Sequence, residues 1–409
     1  MEASATPSTR ALDGLRVLDL AILFSAPQIA AMLGDLGADV VKLEPPDREG
    51  KRGGDPMRGM GVLRDGRSLT WAMVSRNKRT VTCDPATPEG RALLHRLVQA
   101  ADVVVENLPA ATLAKWGATP DELLAVNPDA IIVSVSCYGS TGPYAGRDGN
   151  GSLAEAFGGL TNLTGEADGP PMLPSIALGD TLTAIAGLVG TLAACYHRDA
   201  RGGRGQKVDV SMFEPVLQLL GGSVLGYADG GEPPRRTGSR VPNGVPRNVY
   251  RTRDGAWLVV SGTTDNQVGR LLPLLGLDTD EGLARYGKAA VRARHSDELD
   301  ALVAEWIAAH DRDDVIETLL SARIPVAPVN TVADIVNDPH VQARGDLVTV
   351  DDPDLGPVRM VAPLARLSAT PAEIRWAGPR LGAHTDEVYR DWLDLSTDDL
   401  DALRRQGVI

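Results

Sequence analysis

Short apolar runs alternate with helical patterns along the first half of the chain, and this alternation limits the possible folds more than any other feature. The stretch "LDGLRVLDLAILFSAPQIAAMLGDLGADVVKLEPP" predicts a strand at Arg16–Leu20, a helix that begins near Pro27 and a second strand at Asp39–Leu43. The β-rich runs "RTVTCD", "ADVVVEN" and "AIIVSVS" are separated by the helical segments "TPEGRALLHRLVQA" and "TPDELLAVN". Such alternation is typical of βαβ units, so the predicted fold class is α/β with a Rossmann-like parallel sheet covered by helices.

The second half of the chain has a different character and predicts a smaller α+β region. After Gly221 the segment "GYADGGEPPRRTGSRVPNGVPRN" is dense in Gly, Pro and Arg, which is typical of a long connection. "VYRTRDGAWLVVSG" predicts a hairpin around Asp254 and Gly255, and helical segments follow to about Leu320. A strand in "VRMVAPLARLS" and a helix in "DLDALRRQGVI" end the chain. The predicted divisions are a disordered tail at 1–11, a large domain at 12–222, a linker at 223–250, a small domain at 251–330, and a linker with a C-terminal segment at 331–409.

Composition and charge argue against several classes of protein. A chain of 409 residues is long enough for two domains with ample core. The net charge of −13 argues against a nucleic acid or an anionic membrane as partner, because both select for basic surfaces. Three separated cysteines without a CxxC pair are typical of a reducing cytosol, and six scattered histidines without HExxH spacing predict no metal site. Because "MEASATPSTR" lacks the apolar core of a signal peptide, we expect a soluble, cytoplasmic protein.

The first βαβ unit does not predict a dinucleotide site. Glu44 occupies the position of the acidic residue that binds the NAD ribose in a dinucleotide site, but "LAILFSAPQIA" has no glycine where a GxGxxG motif needs three.

The distribution of charge along the sequence indicates another kind of ligand. Between Arg48 and Arg79 there are nine basic residues and three acidic ones, in a protein that is acidic as a whole. A solvated loop is the simpler interpretation of any single arginine, but the cluster as a whole favours a small molecule with several phosphates.

One carboxylate, Asp180, precedes an uncharged run of sixteen residues, Thr181–Tyr196. The run predicts a helix, and it is too short and too rich in Gly, Ala and Thr for a membrane span. We therefore expect a buried helix that packs closely through Gly187 and Gly190. Asp is a favourable N-cap residue, so a capping role explains Asp180. The helix dipole also stabilises a carboxylate there as the anion, which keeps it available as a nucleophile. These two interpretations differ in whether the carboxylate faces a cavity.

Eleven motifs occur along the chain in a characteristic order. They are "LDGLRVLDL", "MLGDLGADVVKLEPP", "NKRTV", "ADVVVENLPAATLAKWG", "NPDAIIVSVSCYGSTGPYAG", "GEADGPP", "ALGD", "GRGQKVDVSM", "IPVAPVNTVADIVNDPH", "APLARLSATP" and "LGAHTDEV". Each motif is weak alone, but the ordered set is specific, and it resembles the family III CoA-transferases, the CaiB/BaiF group. The resemblance runs from about Leu12 to near Ile409.

The resemblance implies both an architecture and a site. In transferases of this family the Asp of the "GD" motif is the nucleophile, which here is Asp180. The family fold implies an interlocked homodimer, in which each subunit is threaded through the other and the C-terminal segment completes the large domain. The implied substrates are an acyl-CoA and a small carboxylic acid, with no cofactor beyond coenzyme A itself. The family's CoA pocket matches Asn77, Lys78, Arg79, Asn107 and Lys115.

The implied reaction moves CoA from an acyl-CoA donor to a carboxylic acid, through an aspartyl anhydride and a thioester on Asp180. One alternative is an α-methylacyl-CoA racemase, whose relatives carry a proton-transferring His upstream of the shared Asp. Asn150 stands in that place, and an amide cannot carry the proton. A non-catalytic CoA-binding protein is the other alternative. Phe24 replaces a glutamine of formyl-CoA transferase, and Asn150 and Gly151 replace its Tyr-Glu pair, which argues against oxalate and formate. The sequence does not name the donor or the acceptor.

Three other residues fit structural roles. His384 in "LGAHT" belongs to the family signature, and a role in holding the C-terminal segment explains it better than catalysis. Cys137 lies at an apolar strand end, where a packed thiol is the simplest interpretation. His95, in a helical segment, is most simply a surface or packing residue.

Overall fold

The computed structural model describes residues 10–50, 52–241 and 244–409. The predicted N-terminal tail therefore lies almost wholly outside the described residues. Within them there are thirteen strands. The strands are β1 Arg16–Asp19, β2 Asp39–Glu44, β3 Leu63–Arg64, β4 Arg67–Ser68, β5 Lys78–Thr82, β6 Val103–Glu106, β7 Ile131–Ser136, β8 Gln206–Ser211, β9 Arg247–Arg251, β10 Trp257–Ser261, β11 Val326–Pro328, β12 Leu347–Asp352 and β13 Gly356–Val361.

The same residues form nineteen α-helices and three short 3₁₀ helices. The α-helices are α1 Ser25–Asp35, α2 Leu69–Val74, α3 Pro88–Ala100, α4 Ala110–Trp116, α5 Pro120–Val126, α6 Gly151–Phe157, α7 Leu160–Leu163, α8 Leu178–Arg201, α9 Phe213–Leu219, α10 Gly221–Ala228, α11 Asp265–Leu271, α12 Asp280–Tyr286, α13 Ala289–Arg292, α14 Ser296–Ala308, α15 Arg312–Ser321, α16 Val332–Asn337, α17 Pro339–Arg344, α18 Thr385–Leu393 and α19 Thr397–Arg405. The 3₁₀ helices are Pro56–Gly59, Leu272–Leu275 and Ala293–His295.

The chain divides into two compact units. The first contains the described parts of Met1–Leu160, together with Pro174–Gly222 and Gln342–Ile409. The second contains Thr161–Leu173 and the described parts of Ser223–Val341. Each unit has its own hydrophobic core.

A six-stranded sheet in the order β5-β2-β1-β6-β7-β8 forms the centre of the first unit. All its neighbouring strands are parallel, so the predicted α/β class with a parallel sheet is confirmed. Strand β8 is an addition to the predicted strands. Its first four residues are half-buried or exposed and only its last two are buried, because it lies at the sheet edge. Such a strand lacks the continuous apolar run that reveals a central strand.

Alternate residues of the central strands contribute to two separate cores, one on each face of the sheet. Leu18, Val41 and Val104 belong to the core that also contains buried residues of α3 and α18. Val17 and Val40 belong to the core that contains buried residues of α1 and α8. Because a strand buried on both faces needs apolar residues at successive positions, these segments read as short, continuous apolar runs in the sequence.

Helix α8 packs closely on the sheet and on α1. A Cβ added at Gly187 would lie 2.3 Å from Ile29 Cδ1, and one added at Gly190 would lie 3.0 Å from Val208 Cγ1. The predicted close packing through these two glycines is therefore confirmed. The helix is longer than predicted, because it begins at Leu178 and ends at Gly202, whose φ is +68°. By length and composition α8 could cross a membrane, but a core helix meets the same criterion.

The second unit combines a three-stranded antiparallel sheet with helices. Strand β10 lies between β9 and β11, and Trp257 pairs with Arg251. The turn between β9 and β10 contains Gly255 with φ +85°, so the predicted hairpin around Asp254 and Gly255 is confirmed. Buried residues of α11, α12, α14 and α15 complete this core.

A cluster of buried charges lies inside the first unit, at the carboxyl end of β1. Lys78 Nζ lies 2.8 Å from Asp19, while Lys42 Nζ lies 3.6 Å from Asp19 and 3.3 Å from Asp55. All four side chains are at most 1% exposed. Burial favours a neutral Asp19, but the two ammonium groups outweigh that effect and lower its pKa. Burial lowers the pKa of Lys78 to about 8, against the opposing effect of Asp19.

The charge cluster also fixes the turn between β1 and α1. Asp55 accepts hydrogen bonds from the backbone N–H of Leu23 at 3.1 Å and from that of Met57 at 2.9 Å. Leu23 has φ +69°, a left-handed conformation that is unfavourable for leucine and must be held by its surroundings. Lys42 donates to the carbonyl of Ala21, and Lys78 donates to the carbonyl of Pro27 at 2.7 Å. The cluster therefore links three strands to the residues that lead into α1.

Removing one member of this cluster should destabilise the protein strongly. We expect Asp19→Ala to lower the free energy of unfolding by about 3–5 kcal/mol, because two buried ammonium groups would then share only Asp55. Asp129→Ala is a matched control, since Asp129 pairs with Arg204 on the exposed surface. It should cost at most about 1 kcal/mol. Denaturant titration of both variants at equal protein concentration measures the difference, and equal losses would contradict the assigned role of the cluster.

Candidate active site

Asp180 lies in the first turn of α8, and its side chain is half-buried. The helix begins at Leu178 and is preceded by Ala177, whose carbonyl accepts the N–H of Thr181 at 3.1 Å. Ala177, the N-cap residue, forms no side-chain hydrogen bond with the helix. The expectation that Asp180 is the N-cap is therefore wrong. Because capping does not use the carboxylate, it remains available for other contacts.

The carboxylate of Asp180 lies against the beginnings of two other helices. A Cβ added at Gly151, the first residue of α6, would lie 2.2 Å from Asp180 Oδ2. Ser25, the first residue of α1, forms a hydrogen bond with the Asp180 side chain that opposes the rise in its pKa. The first turns of α1, α6 and α8 therefore surround one carboxylate, and the positive ends of these helix dipoles favour negative charge there.

Burial nevertheless has the larger effect on Asp180. Burial raises the pKa of this carboxyl, the negative charge of Glu155 raises it further, and the hydrogen bond from Ser25 acts in the opposite direction. The net shift in the pKa is therefore upward, although the hydrogen bonds at the start of the helix favour the anion, in the direction expected. A carboxylate held above its ordinary pKa is a stronger base and a better nucleophile once it is ionised.

Asn150 and Cys137 complete the surroundings of the site. Asn150 is the N-cap of α6, and its side-chain oxygen accepts the N–H of Leu153 at 3.2 Å. Cys137, at the end of β7, is 4% exposed and its sulfur lies 3.8 Å from the Asn150 carbonyl oxygen. Burial raises the pKa of the Cys137 thiol, so it remains protonated and packed, as predicted.

The full length of the chain is similar to known proteins. The sequence model described as CoA-transferase family III matches residues 12–385. The chain belongs to this family. It is 40% identical to succinyl-CoA–D-citramalate CoA-transferase of Chloroflexus aurantiacus, over 98% of each chain. It is 37% identical to the beta subunit of succinyl-CoA–L-malate CoA-transferase of the same organism, over 99% of each chain. A crystal structure of a CaiB/BaiF family protein from Brucella suis is 32% identical, with a TM-score of 0.81, and the match covers 94% of this chain and 99% of that one.

Asn107, one of the predicted CoA-binding residues of this family III chain, lies at the carboxyl edge of the sheet. Its Oδ1 accepts the N–H of Ile22 at 2.8 Å, and its Nδ2 donates to the Ile22 carbonyl at 2.9 Å. These bonds join the end of β6 to the turn after β1, where the strand order reverses. Ligands of open α/β sheets bind at such a position. Lys115, in the last turn of α4, is exposed.

The other three predicted CoA-binding residues lie at the beginning of β5, and their side chains have structural partners. Asn77 is 1% exposed and Lys78 is fully buried. The Asn77 amide donates to Asp35 at 2.9 Å, and the Lys78 ammonium donates to Asp19. The Arg79 guanidinium pairs with Asp39 at 2.6 Å and also with two carboxylates of α18. Because these contacts occupy the polar groups, the structure does not support phosphate binding by these three residues.

The basic segment from Arg48 to Arg79 is neutralised by carboxylates from distant parts of the sequence. Lys51 lies outside the described residues, and Arg64 donates to the carbonyl of Pro357 at 3.1 Å. Six of the remaining basic residues form ion pairs: Arg48 with Asp84, Arg58 with Glu44, Arg67 with Asp352 and Asp354, Arg76 with Asp35, Lys78 with Asp19, and Arg79 with Asp39. The excess of positive charge counted along the sequence is therefore not a concentration of free charge in space.

The two histidines singled out in the sequence have hydrogen-bonded, structural positions. His384 Nδ1 accepts the N–H of Thr80 at 3.2 Å, and burial lowers the pKa of the ring. His95 Nε2 lies 2.7 Å from the carbonyl oxygen of Gly117, so it carries the proton and donates. Both contacts agree with the structural interpretation. Among the described residues, no group of His, Cys, Asp and Glu could hold a metal ion.

Sequence reasoning missed Ser25 and Glu155. Ser25 is 4% exposed and Glu155 is 2% exposed. Glu155 had a recognisable signal, because it is the only acid in "GSLAEAF", the segment that forms α6. Ser25 had none, since a serine at a helix start is common for reasons of capping alone.

The contact between Gly151 and Asp180 makes a sharp prediction. Gly151→Ala should leave the fold intact but displace the Asp180 carboxylate by about 1 Å, which lowers turnover by roughly a hundredfold. Gly269→Ala is the matched control, because an added Cβ there meets nothing within 4 Å. Steady-state kinetics of both variants, with circular dichroism to check folding, tests this. Normal turnover of Gly151→Ala would show that the carboxylate position is not critical.

Proposed function

We propose that this protein transfers CoA from an acyl-CoA to a small carboxylic acid, with Asp180 as the nucleophile. The observation that supports this most is the position of the Asp180 carboxylate, which is half-buried and lies among three helix N-termini without capping its own helix. The names of two relatives refine the proposal, because both use succinyl-CoA and a 2-hydroxy dicarboxylic acid. We propose succinyl-CoA as donor and a dicarboxylate of this class as acceptor.

The reaction proceeds through covalent intermediates on the Asp180 carboxyl group. Asp180 Oδ attacks the thioester carbon, the C–S bond breaks, and CoA leaves as the thiolate while a mixed anhydride forms. The thiolate then attacks the Asp180 carbonyl, which gives an enzyme thioester and releases the donor acid. The acceptor carboxylate repeats these steps in reverse and leaves as the new acyl-CoA. The nucleophile must be a carboxylate, because only a carboxylate forms a mixed anhydride with the acyl group. The CoA thiolate can attack either carbonyl carbon of that anhydride.

The structure gives Asn150 a role that disfavours the racemase alternative. Its side-chain oxygen already accepts an N–H of α6, and an amide acts as neither an acid nor a base near neutral pH. The non-catalytic alternative explains neither the strained turn at Leu23 nor the unused carboxylate of Asp180. CoA transfer is therefore the proposal that accounts for most of the site.

We propose that CoA lies at the carboxyl edge of the sheet, beside Asn107 and Lys115. Asn107 holds the turn that leads to Ser25, and Lys115 offers an exposed ammonium for a phosphate. Asn77, Lys78 and Arg79 support the sheet instead. We further propose that the two compact units are the large and small domains of the family, and that the enzyme works in the cytoplasm.

We also propose the interlocked homodimer. Exposed apolar side chains support it: Ile176 is 70% exposed, and Val189 and Tyr196 on α8 are each 63% exposed. Val189 and Tyr196 are seven residues apart and so share one face of α8, and a partner surface over that face accounts for their exposure. Sedimentation at micromolar concentration should give the dimer mass, and the dimer should separate only on unfolding. A monomer that retains activity would overturn this proposal.

Asp180→Asn tests the mechanism. The amide has nearly the same size but is not an anionic nucleophile, so turnover should fall by several orders of magnitude while the unfolding midpoint stays close to that of the wild type. Hydroxylamine added with succinyl-CoA should modify Asp180 of the wild type, and peptide mass spectrometry should locate the adduct.

Two controls make this test decisive. Asp229→Asn, an exposed substitution of the same kind, should keep both turnover and hydroxylamine modification of Asp180. Intact mass must exclude deamidation of the introduced asparagine back to aspartate in the Asp180→Asn variant. Normal turnover of a verified Asp180→Asn protein would show that another group is the nucleophile.

A further inference from the structure

Glu155 is a buried carboxylate next to the nucleophile. It lies on α6 and is 2% exposed. Its Oε1 accepts the N–H of Gly179, the residue before Asp180, at 2.8 Å. Its Oε2 is buried and has no hydrogen-bond partner among the described residues. A buried carboxylate oxygen without a partner costs free energy, so its presence calls for an explanation beyond packing.

The backbone around Glu155 is arranged to bring this carboxylate close. A Cβ added at Gly179 would lie 3.2 Å from Glu155 Oε1 and 2.8 Å from the Gly151 carbonyl oxygen. The glycines at positions 151 and 179 therefore allow α6 to approach the first turn of α8. Through this approach Glu155 holds the backbone of the residue that precedes the nucleophile.

We propose that Glu155 is a positioning residue that holds the first turn of α8 and whose negative charge makes the anionic form of Asp180 more reactive. This inference rests on the proposed role of Asp180 as nucleophile. Its physical basis is the repulsion between two neighbouring carboxylates, of which Glu155 is buried and Asp180 is half-buried.

The repulsion changes during the reaction. In the resting enzyme the negative charge of Glu155 repels the Asp180 carboxylate and so disfavours its anionic form. When Asp180 Oδ bonds to the acyl carbon and the C–S bond breaks, the electron pair leaves with the CoA sulfur, and acylated Asp180 is neutral. The charge of Glu155 therefore raises the free energy of the resting anion more than that of the acylated enzyme. Only such differential effects speed the chemical step.

The titratable surroundings of Asp180 agree with this role. Among the described residues, two titratable side chains face it, Glu155 from α6 and Cys137 from the end of β7. Burial and then the charge of Glu155 raise the pKa of Asp180. Burial also raises the pKa of Cys137, so the thiol carries no charge in the working range. Glu155 is thus the charged side chain that modulates Asp180.

The test is the pH profile of Glu155→Gln. Glutamine keeps the oxygen that accepts the Gly179 N–H but removes the charge. Because Asp180 must be ionised to attack, the acid limb of kcat/KM for succinyl-CoA should move to lower pH. The plateau rate should fall about fivefold or more, since two neighbouring unit charges repel by roughly 1 kcal/mol even at the dielectric constant of water.

Two further variants separate charge from structure. Glu89→Gln, on the exposed first turn of α3, is the control for charge and should leave the profile unchanged. Glu155→Asp keeps the charge but shortens the side chain, so it should lower kcat without moving the acid limb to lower pH. If Glu155→Gln does not fold, a downward shift of that limb in Glu155→Asp would still contradict the proposal.

The outcomes also distinguish this inference from the proposed function. Hydroxylamine modification of Asp180 in the wild type tests the nucleophile alone. If modification occurs but Glu155→Gln keeps the wild-type limb and plateau, Glu155 has a packing role and the inference is wrong. If the wild type shows no modification and Asp180→Asn stays active, the proposed mechanism itself is wrong.

Discussion

The buried ion pairs of Asp19 and Asp55 with Lys42 and Lys78 are the interaction on which the site depends. They join three strands of the sheet at its carboxyl edge and hold the backbone of the turn after β1. That turn contains Leu23 in a left-handed conformation and positions Ser25 next to Asp180. A buried ion pair contributes little net stability by comparison with apolar packing, but it permits few alternative arrangements. The geometry around Asp180 therefore depends on a cluster of buried charges at the end of β1.

Two electrostatic effects compete at Asp180, and their balance sets the direction of its pKa shift. Helix N-termini favour the anion by about 0.3–1 kcal/mol each at exposed sites, and up to about 2 kcal/mol where they are partly buried. Burial and the charge of Glu155 oppose them, and the net shift in pKa is upward. The site therefore holds a carboxylate whose anionic form is poorly stabilised. This combination suits a group that must attack a thioester and then be regenerated many times.

The sequence predicted the scaffold well because the scaffold depends on local patterns. The apolar runs of β6 and β7, the β-branched residues of β5 and the capped helices α3 and α5 are visible in short windows. The start of α8 was not predictable from such a window, since Ala177 has no capping side chain and Asp180 looked like a cap. The assignment of the basic segment failed for a related reason. Charges were counted along the chain, whereas their partners, such as Asp352 and Asp84, come from other segments.

The candidate site was predictable only in part. Asp180 and Asn107 follow from motifs, whereas Glu155 and Gly151 acquire their importance from a contact between two helices that no spacing encodes. Asp180 is thus recognisable in the sequence, but its environment is not.

The buried ion pairs have a consequence for how this lineage can change. A lone substitution of Lys42 would leave Asp19 and Asp55 facing each other across a single ammonium group. Such an intermediate is penalised before any compensating change can arise, so viable substitutions must arrive together or not at all. Substitutions at positions 19, 42, 55 and 78 should therefore occur together in related sequences. A descendant sequence that has lost one of the lysines should have lost an acid with it.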